Sequence, residues 1–458
     1  MKINIDLLEW AVEQGLRLGA DEVEIFASST ETSSGELILA SMPKISTNID
    51  RGAGIRIVKD KRIGFSYLTK FEKEEFLKAL KSAISSAAAS KPLEDWKSLP
   101  EPSKYPRVSK LFDERIKRAS IELITDYLNT LVQTITEIDK RVTPISTSAG
   151  FGYRETVIVN SHGLKVEETG TFIYAGAATM GSEGDRRTPI CFDFDASRLL
   201  EINVEEIGKT ATEMAVTSLK FTTSETEKSV VVFHPYALAQ ILMFTLTRVL
   251  SGDYIKRGIS PFTDKLGEKI ASDQLTIIDD GTLPGGLGSG ISDDEGVPMQ
   301  KKILVEEGVL RNFYFDNYTG KALGKNSTGN GLRTTGTGGA SAITYATIPT
   351  PAPTNFIIKQ GDIRLEEMLS EIKSGYFVIG VQGAHSSNPE SGEFSVAGAP
   401  IWRIQNGEIL GSAPGTMISG NLYELLKNIV FVSREVKKYG SYILPYVAIR
   451  NVNVISKK

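Results

Sequence analysis

Residues 22–69 read EVEIFASSTETSSGELILASMPKISTNIDRGAGIRIVKDKRIGFSYLT, and this stretch decides the fold of the N-terminal region. Within it VEIFAS (23–28), GELILAS (35–41), GIRIVKD (54–60) and RIGFSYL (62–68) alternate apolar and polar residues and are separated by Gly, Asn and Asp. A period of two sends successive side chains to opposite faces of a strand, so antiparallel strands and hairpins are expected here. On the N-terminal side, Leu7, Leu8, Ala11, Val12 and Leu16 fall at helical spacing over 6–18, with Gly19 as the stop. On the C-terminal side, residues 72–89 return to helical periodicity before Pro92, Pro100, Pro102 and Pro106 mark a linker.

Three domains and a linker follow from working outward: an α+β domain over 1–90, a proline-rich linker over 91–110, a middle α+β domain over 111–225 and a C-terminal β-rich domain over 226–458. The middle unit opens with a helical pattern over 112–138, in which Ile116, Ile121, Leu123, Ile124, Leu128 and Leu131 supply the apolar stripe. Alternating β-formers then flank His162-Gly163, and 199–219 reads as another helix. In the last unit SVVVF (229–233) is a buried-strand pattern that runs into the helical stretch PYALAQILMFTLTRVL (235–250), with Pro235 where its missing N–H does no harm. Beyond Gly252 short strands and Gly loops dominate. The fold class is α+β: an N-terminal α/β region of antiparallel strands and long helices, followed by a mostly antiparallel β domain.

Bulk properties exclude several functions. Hydrophobic residues make up 41% and charged residues 24% of the 458, the balance of an ordinary folded protein. With a net charge of −4 and no basic stripe, the chain lacks the face that displaces counterions from phosphates, so direct nucleic-acid binding is not expected. Cys191 is the sole cysteine, which precludes an intrachain disulfide and fits a reducing, cytoplasmic setting. The first residues lack the apolar run of a signal peptide, and no window is apolar enough to span a membrane.

The chemical inventory is short. Helix-borne peptidase zinc sites place two His on one face with a Glu beside the first, so that two imidazoles hold the metal and the carboxylate activates its water. The histidines here are His162, His234 and His385, and His234 is followed by Pro235 with no second His nearby. His162 reads as a turn residue and His234 as a helix cap; together with Cys191 they have no spacing that favours a long-range metal site. The Gly-rich runs 281–290 and 329–340 offer backbone N–H groups to an anion or an extended peptide but match no phosphate-binding signature. Asp293-Asp294-Glu295-Gly296 lacks the alternating oxygen ligands of a calcium loop and reads as a solvated turn. Residues 384–395 form the densest polar constellation, in which His385 beside Ser386 and Ser387 superficially suggests a hydrolase triad.

Three stretches carry a family resemblance. RGAGIRIVKDKRIGFSYL (51–68) resembles the N-terminal signature of TldD/PmbA proteins, and IDDGTLPGGLGSGISDDEGVPMQKKILVEEGVLRNFYFDNYTGKALGKNSTGNGLR (278–333) is similar to their C-terminal domain. NPESGEFSVAGAPIWRIQNGEIL (388–410) with SGNLYELLKNI (419–429) completes the order, so the likeness covers nearly the whole chain. The TldD branch carries HExxxH on the helix that opens the C-terminal domain, and a later Cys; FHPYALAQILMF (233–244) resembles instead the PmbA branch, also called TldE, where that motif is missing. The resemblance implies a subunit with no catalytic or metal-ligating residue of its own, a TldD-type metalloprotease partner that supplies zinc, a peptide or unfolded-protein substrate, and a possible homodimer. It makes the loops 281–296, 326–340 and 384–395 candidates to line a peptide chamber, with Gly286, Gly288, Asp293, Asn330, His385, Asn388, Ser391 and Glu393 as substrate-binding residues. Two other readings stay open: an autonomous metallopeptidase or hydrolase centred on His385, and a non-enzymatic regulator of the DNA gyrase modulator kind.

Overall fold

The computed structural model describes residues 2–39, 44–333 and 344–457, and in it the alternating stretch forms one long antiparallel array. Helix α1 (Ile5–Arg17) is capped by the Asn4 side chain, which accepts from the Leu7 N–H, and the chain turns at Gly19 with φ of +93°. Strand β1 (Glu22–Ile38) then runs for 17 residues, so VEIFAS and GELILAS lie in one strand and not two, while Ala40 and Ser41 fall outside the described residues. Polar Ser28 to Ser34 stay extended because β1 is paired along both edges, with β2 (Lys44–Lys59) and with a strand of the middle unit. β3 (Arg62–Leu68) and α2 (Lys73–Ala89) complete the first unit.

The helical pattern over 112–138 is split. Asp113 caps the short α3 (Glu114–Lys117), Ser120 is extended, and α4 (Ile121–Ile138) begins anew. β4 (Val142–Asn160) and β5 (Lys165–Glu183) form a hairpin that turns through His162 and Gly163, the latter at φ of +79°. β6 (Arg186–Arg187) and β7 (Cys191–Ser197) both pair with β5, and α5 (Val204–Leu219) packs beside α4. Ile25 of β1 opposes Ile55 on one side and Val159 on the other, so the first and middle units share a single sheet ordered β3-β2-β1-β4-β5.

β1 is covered on both faces. Val23, Ile25 and Ala27 pack with Leu8, Phe76 and Leu80 of α1 and α2, whereas Phe26 packs with Ile158, Leu164 and Tyr345 on the opposite side. The segment between α2 and α3 is tied down as well: Trp96 Nε1 and Leu99 N each donate to the Glu22 carboxylate at 2.7 Å, and both side chains are buried.

β8 (Glu227–Phe233) and α6 (Pro235–Phe244) open the C-terminal domain. Its helical pattern breaks at Thr245, whose backbone leaves the helix at φ −130° and ψ −91°, and a second short helix spans Leu246–Val249. β8 is central in a sheet of 13 strands among the described residues, antiparallel to Tyr442–Ser456 and parallel to Ser374–Val378. That mixture, with a second parallel pair at Phe356 and Tyr442, sits within an otherwise antiparallel arrangement. The described residues contain no helix long and apolar enough to cross a membrane.

Gly64 shows how closely α2 lies on the sheet: a Cβ there would stand 1.9 Å from the Ala83 carbonyl oxygen and 2.5 Å from the Ala87 nitrogen. Backbone cannot retreat as a flexible side chain can, so Gly64→Ala should lower the unfolding free energy by about 1–3 kcal/mol. Urea denaturation measures this, and an unchanged midpoint would contradict the packing described.

Candidate functional site

β8 ends at Phe233 and α6 begins at Pro235, which leaves His234 at the cap. Its Nδ1 accepts from the Tyr236 N–H at 3.1 Å, and the ring packs edge-on against Tyr446. Because Nδ1 accepts, the proton of the neutral imidazole resides on Nε2. Burial, reinforced by Lys437, pushes the His234 pKa down to about 3, so the ring is neutral at pH 7. Nε2 is itself buried and has no hydrogen-bond partner among the described residues, a deficit that costs about 1–3 kcal/mol for an unmet donor. His234 also borders a small cavity lined by Phe192, Phe194, Tyr236, Lys437, Lys438 and Tyr439, with Lys437 Nζ 3.4 Å from both carboxylate oxygens of Asp193.

This donor set does not fit a zinc ion. In an HExxxH motif beginning at His234, the Glu position is Pro235 and the second His position is Ala239, both buried. Asp193 is engaged by Lys437, and the other candidate ligands are elsewhere: His162 Nε2 lies 2.6 Å from Glu22 Oε1, His385 is exposed, and the Cys191 thiol, pushed up to about 12 by burial, sits against Ser218. Among the described residues no group of three or more His, Cys, Asp or Glu side chains is arranged to hold a metal ion.

The sequence-predicted substrate residues divide into two groups. Gly286, Gly288, Asp293 and Asn330 take part in a hydrogen-bonded network in which Gly286, Asp293 and Asn330 are buried and Gly288 is half-buried. Gly288 N donates to Asn355 Oδ1 at 2.9 Å, and a Cβ on Gly286 would meet Ser289 and the Asn355 amide. The Asn330 amide donates to Asp279 Oδ2 at 2.8 Å, beside the buried Lys302 ammonium at 2.7 Å. Asp293 takes three backbone N–H groups, from Glu295, Val297 and Gly331, and is 1% exposed. The acidic run is therefore not a solvated turn. Glu295, fully buried, accepts from Arg56 Nη2 at 2.9 Å and from Asn317 N at 2.7 Å. Arg56 also reaches Glu24 Oε2 at 2.5 Å, and Arg333 Nη2 reaches Glu24 Oε1 at 2.7 Å while its guanidinium lies 4.6 Å from the Phe26 ring centroid. Part of the 326–340 loop, residues 334–340, lies outside the described residues.

His385, Asn388, Ser391 and Glu393 form the second group, on an exposed turn. Asn388 Oδ1 accepts from Glu390 N and Ser391 N, and Asn421 Nδ2 donates to Ser391 O and Glu393 Oε1. The turn is thus held by Asn388 from within and by Asn421 from a neighbouring strand, and the His385 ring meets Phe244 edge-on at 6.4 Å. Among the described residues no hydrogen bond joins His385 to Ser386, Ser387 or Glu393, so the triad geometry is not present.

Comparison with known proteins is consistent along the chain. Models of PmbA/TldA metallopeptidase domain 1, central domain and C-terminal domain match residues 20–89, 114–219 and 226–456. The chain belongs to the PmbA/TldD metallopeptidase family. An uncharacterised protein of Methanocaldococcus jannaschii is 30% identical over 97% of this chain and 98% of its own length. A TldD metalloprotease homologue of Buchnera aphidicola from Acyrthosiphon pisum is 27% identical over 85% of this chain and 80% of its own. The crystal structure of TldE from Thermococcus kodakarensis superposes with a TM-score of 0.90 at 34% identity, covering 98% of this chain and all of that one.

In this PmbA/TldD chain, sequence reasoning missed Phe192, Phe194 and Lys437 around His234, and Glu24, Arg56 and Arg333 in the interior. The first set carries no local signal, and neither does the second: Glu24 and Arg56 alternate with apolar neighbours as solvent-facing strand residues do, and Arg333 lies in a Gly-rich loop.

Removing one member of the buried cluster strands its partners, so Arg333→Met should destabilise the protein by about 3–5 kcal/mol in denaturant titration. A loss below half a kilocalorie would mean that Glu24 is served by Arg56 alone. Asp316, which caps the turn next to Glu295 by accepting from Thr319 N at 2.8 Å, has its pKa pushed up from 3.8 to about 7 by burial and then by Glu295. The folded state holds that proton more tightly than the unfolded chain, so the group's contribution is complete below pH 3.8 and is lost as pH rises through about 7. Asp316→Asn keeps a capping oxygen and should flatten the decline of urea midpoints across that window; an unaltered decline would assign it to other groups.

Proposed function

We propose that this chain is the metal-free, PmbA/TldE-like subunit of a two-chain zinc peptidase acting on peptides or unfolded proteins in the cytoplasm. One observation carries the reading. The helix that would bear the metal motif has Pro235 where a general base belongs and Ala239 where a second ligand belongs, and neither side chain can perform that task. The sequence is related to TldD homologues as well as to a TldE, so overall likeness does not choose between the branches, and the reading is supported by the side chains of α6.

In this reading a TldD-type partner supplies zinc and the base, while this chain helps to enclose the substrate and first associates with itself or with that partner. Extended peptides are held along strands by backbone hydrogen bonds, which give affinity without a catalytic residue. The turn of His385, Asn388, Ser391 and Glu393 is the exposed part of the candidate peptide-facing set. The net charge of −4 weighs against a role in contact with DNA.

Purified alone, the chain should carry no stoichiometric zinc and leave an unstructured peptide intact; co-expressed with a TldD-type chain it should co-purify in a complex that holds zinc and cleaves. Zinc bound by the lone chain, together with cleavage that His385→Ala abolishes, would replace this reading with an autonomous hydrolase.

A further inference from the structure

Strand β2 overhangs its neighbour β3. The β3 pairing covers β2 only from Ala53 to Lys59, whereas β1 pairs with β2 from Lys44 onward, so residues 44–52 have a partner strand on one edge alone among the described residues. The ladder with β1 runs from Glu36 opposite Lys44 to Glu22 opposite Val58 without a bulge, and no proline interrupts the free stretch. Lys44, Ser46, Thr47, Asn48 and Ile49 are exposed, Ile49 to 64%. In an antiparallel ladder alternate residues turn their N–H and C=O groups away from the existing partner, and a regular exposed edge of this kind is a template for another strand.

The side chains along this edge name the occupant, because they complement themselves. Residues 44–50 read Lys-Ile-Ser-Thr-Asn-Ile-Asp. A twofold axis through Thr47 and perpendicular to the sheet sets a second copy of this strand antiparallel to the first, with opposing residues on the same face. Lys44 then meets Asp50, Ile45 meets Ile49, and Ser46 meets Asn48, each pair occurring twice. Opposite charges and β-branched apolar pairs are the cross-strand matches that stabilise a ladder. Asp50 is held in place for this, since its Oδ1 accepts from Tyr345 Oη at 2.6 Å. Centred on Asn48, the same operation would set Ile45 against Arg51 and Ser46 against Asp50; centred on Ser46, it would set Lys44 against Asn48. Neither keeps both matches.

We infer that two copies of this chain pair through residues 44–50 of β2 about a twofold axis at Thr47, joining their N-terminal sheets into one continuous sheet. This deepens the proposed function and rests on the part of that reading in which the chain associates with itself. The contact is a short ladder with a small buried area, so it makes a reversible dimer and not an obligate one.

Cys191 is buried and is the sole cysteine, so an introduced thiol reports alone. Thr47→Cys puts a thiol on the axis, where opposing Cα atoms stand about 4.5–5.5 Å apart, within the span of about 4.4–6.8 Å that a disulfide bridges. Mild oxidation of the full chain should convert this variant to a covalent dimer on a non-reducing gel. Ser46→Cys, whose own counterpart lies two residues along the partner strand and beyond that span, should link about tenfold more slowly. The unaltered chain should sediment as a concentration-dependent mixture of monomer and dimer. Ile49→Lys faces Glu31 within its own sheet but sets an ammonium against the partner's Ile45, so it should weaken the dimer about tenfold while the urea midpoint confirms the fold. A chain that stays monomeric at every soluble concentration would overturn the inference. So would equal linking rates for the two cysteine variants or a dimer indifferent to Ile49→Lys, each of which puts the contact on another face. A TldD-type chain that shields the Thr47→Cys thiol from alkylation, while copies of this chain remain monomeric, would give the edge to that partner and overturn it as well. Zinc content and cleavage are read separately on the co-expressed complex, so failure here leaves the subunit assignment standing, and failure of that assignment leaves a measured self-association.

Discussion

Two arginines and two glutamates, each no more than 2% exposed, join the N-terminal sheet to the C-terminal domain. Glu24 and Arg56 come from adjacent strands, β1 and β2, and stand directly opposite each other in register; Glu295 and Arg333 come from the long loop region of the C-terminal domain. The formal charges cancel, which is the condition for burying four ions together. Apolar replacements of equal shape would stabilise as well, so net energy does not explain the cluster. Its effect is on docking: a one-residue slip of β1 would turn Glu24 to the helix face, leave Arg56 with Glu295 alone and take from Arg333 the carboxylate it pairs with.

The Gly-rich motif follows from the same constraint. For the acidic run to reach Arg56, the chain from 281 to 296 must fold back on itself, and Asn355 holds it there by donating to Asp280 O at 2.6 Å and Ser289 Oγ at 2.8 Å. Gly288 lies so near that a Cβ would be 2.4 Å from the Thr354 carbonyl oxygen. Flexible-looking glycines are thus sites of close approach in a rigid knot.

Periodicity made the helices and most strands legible, because it reports which face of a local element is apolar. It does not report what covers the other face. Glu24 and Arg56 alternate with apolar neighbours just as solvent-facing residues do, and Asp293-Asp294-Glu295 has the composition of a surface turn, yet both sets are interior because a distant segment brings the opposite charge. The break at Ser120 and the one at Thr245 were hidden for a related reason: the apolar stripe continues across them although the backbone leaves the helix. His234 was legible as a cap, since Pro at the first helical position fixes where the helix starts. Its aromatic surroundings were not, being assembled from β7 and the Ile429–Tyr439 strand.

The cap also explains why the missing zinc motif and the unmet donor belong together. A histidine that ligates metal through Nε2 needs a lone pair there, and its Nδ1–H then donates to a carboxylate or carbonyl. At His234 the Nδ1 faces a backbone N–H, which forces it to accept and places the proton on Nε2. Capping α6 and ligating through Nε2 are therefore mutually exclusive for this ring. Once Pro235 sets the start of the helix, the Tyr236 N–H becomes the first donor that needs an acceptor, and the imidazole that meets it becomes a donor itself. With Nδ1 committed to the helix cap, the ring keeps a proton on Nε2 and has no lone pair there to offer a metal ion.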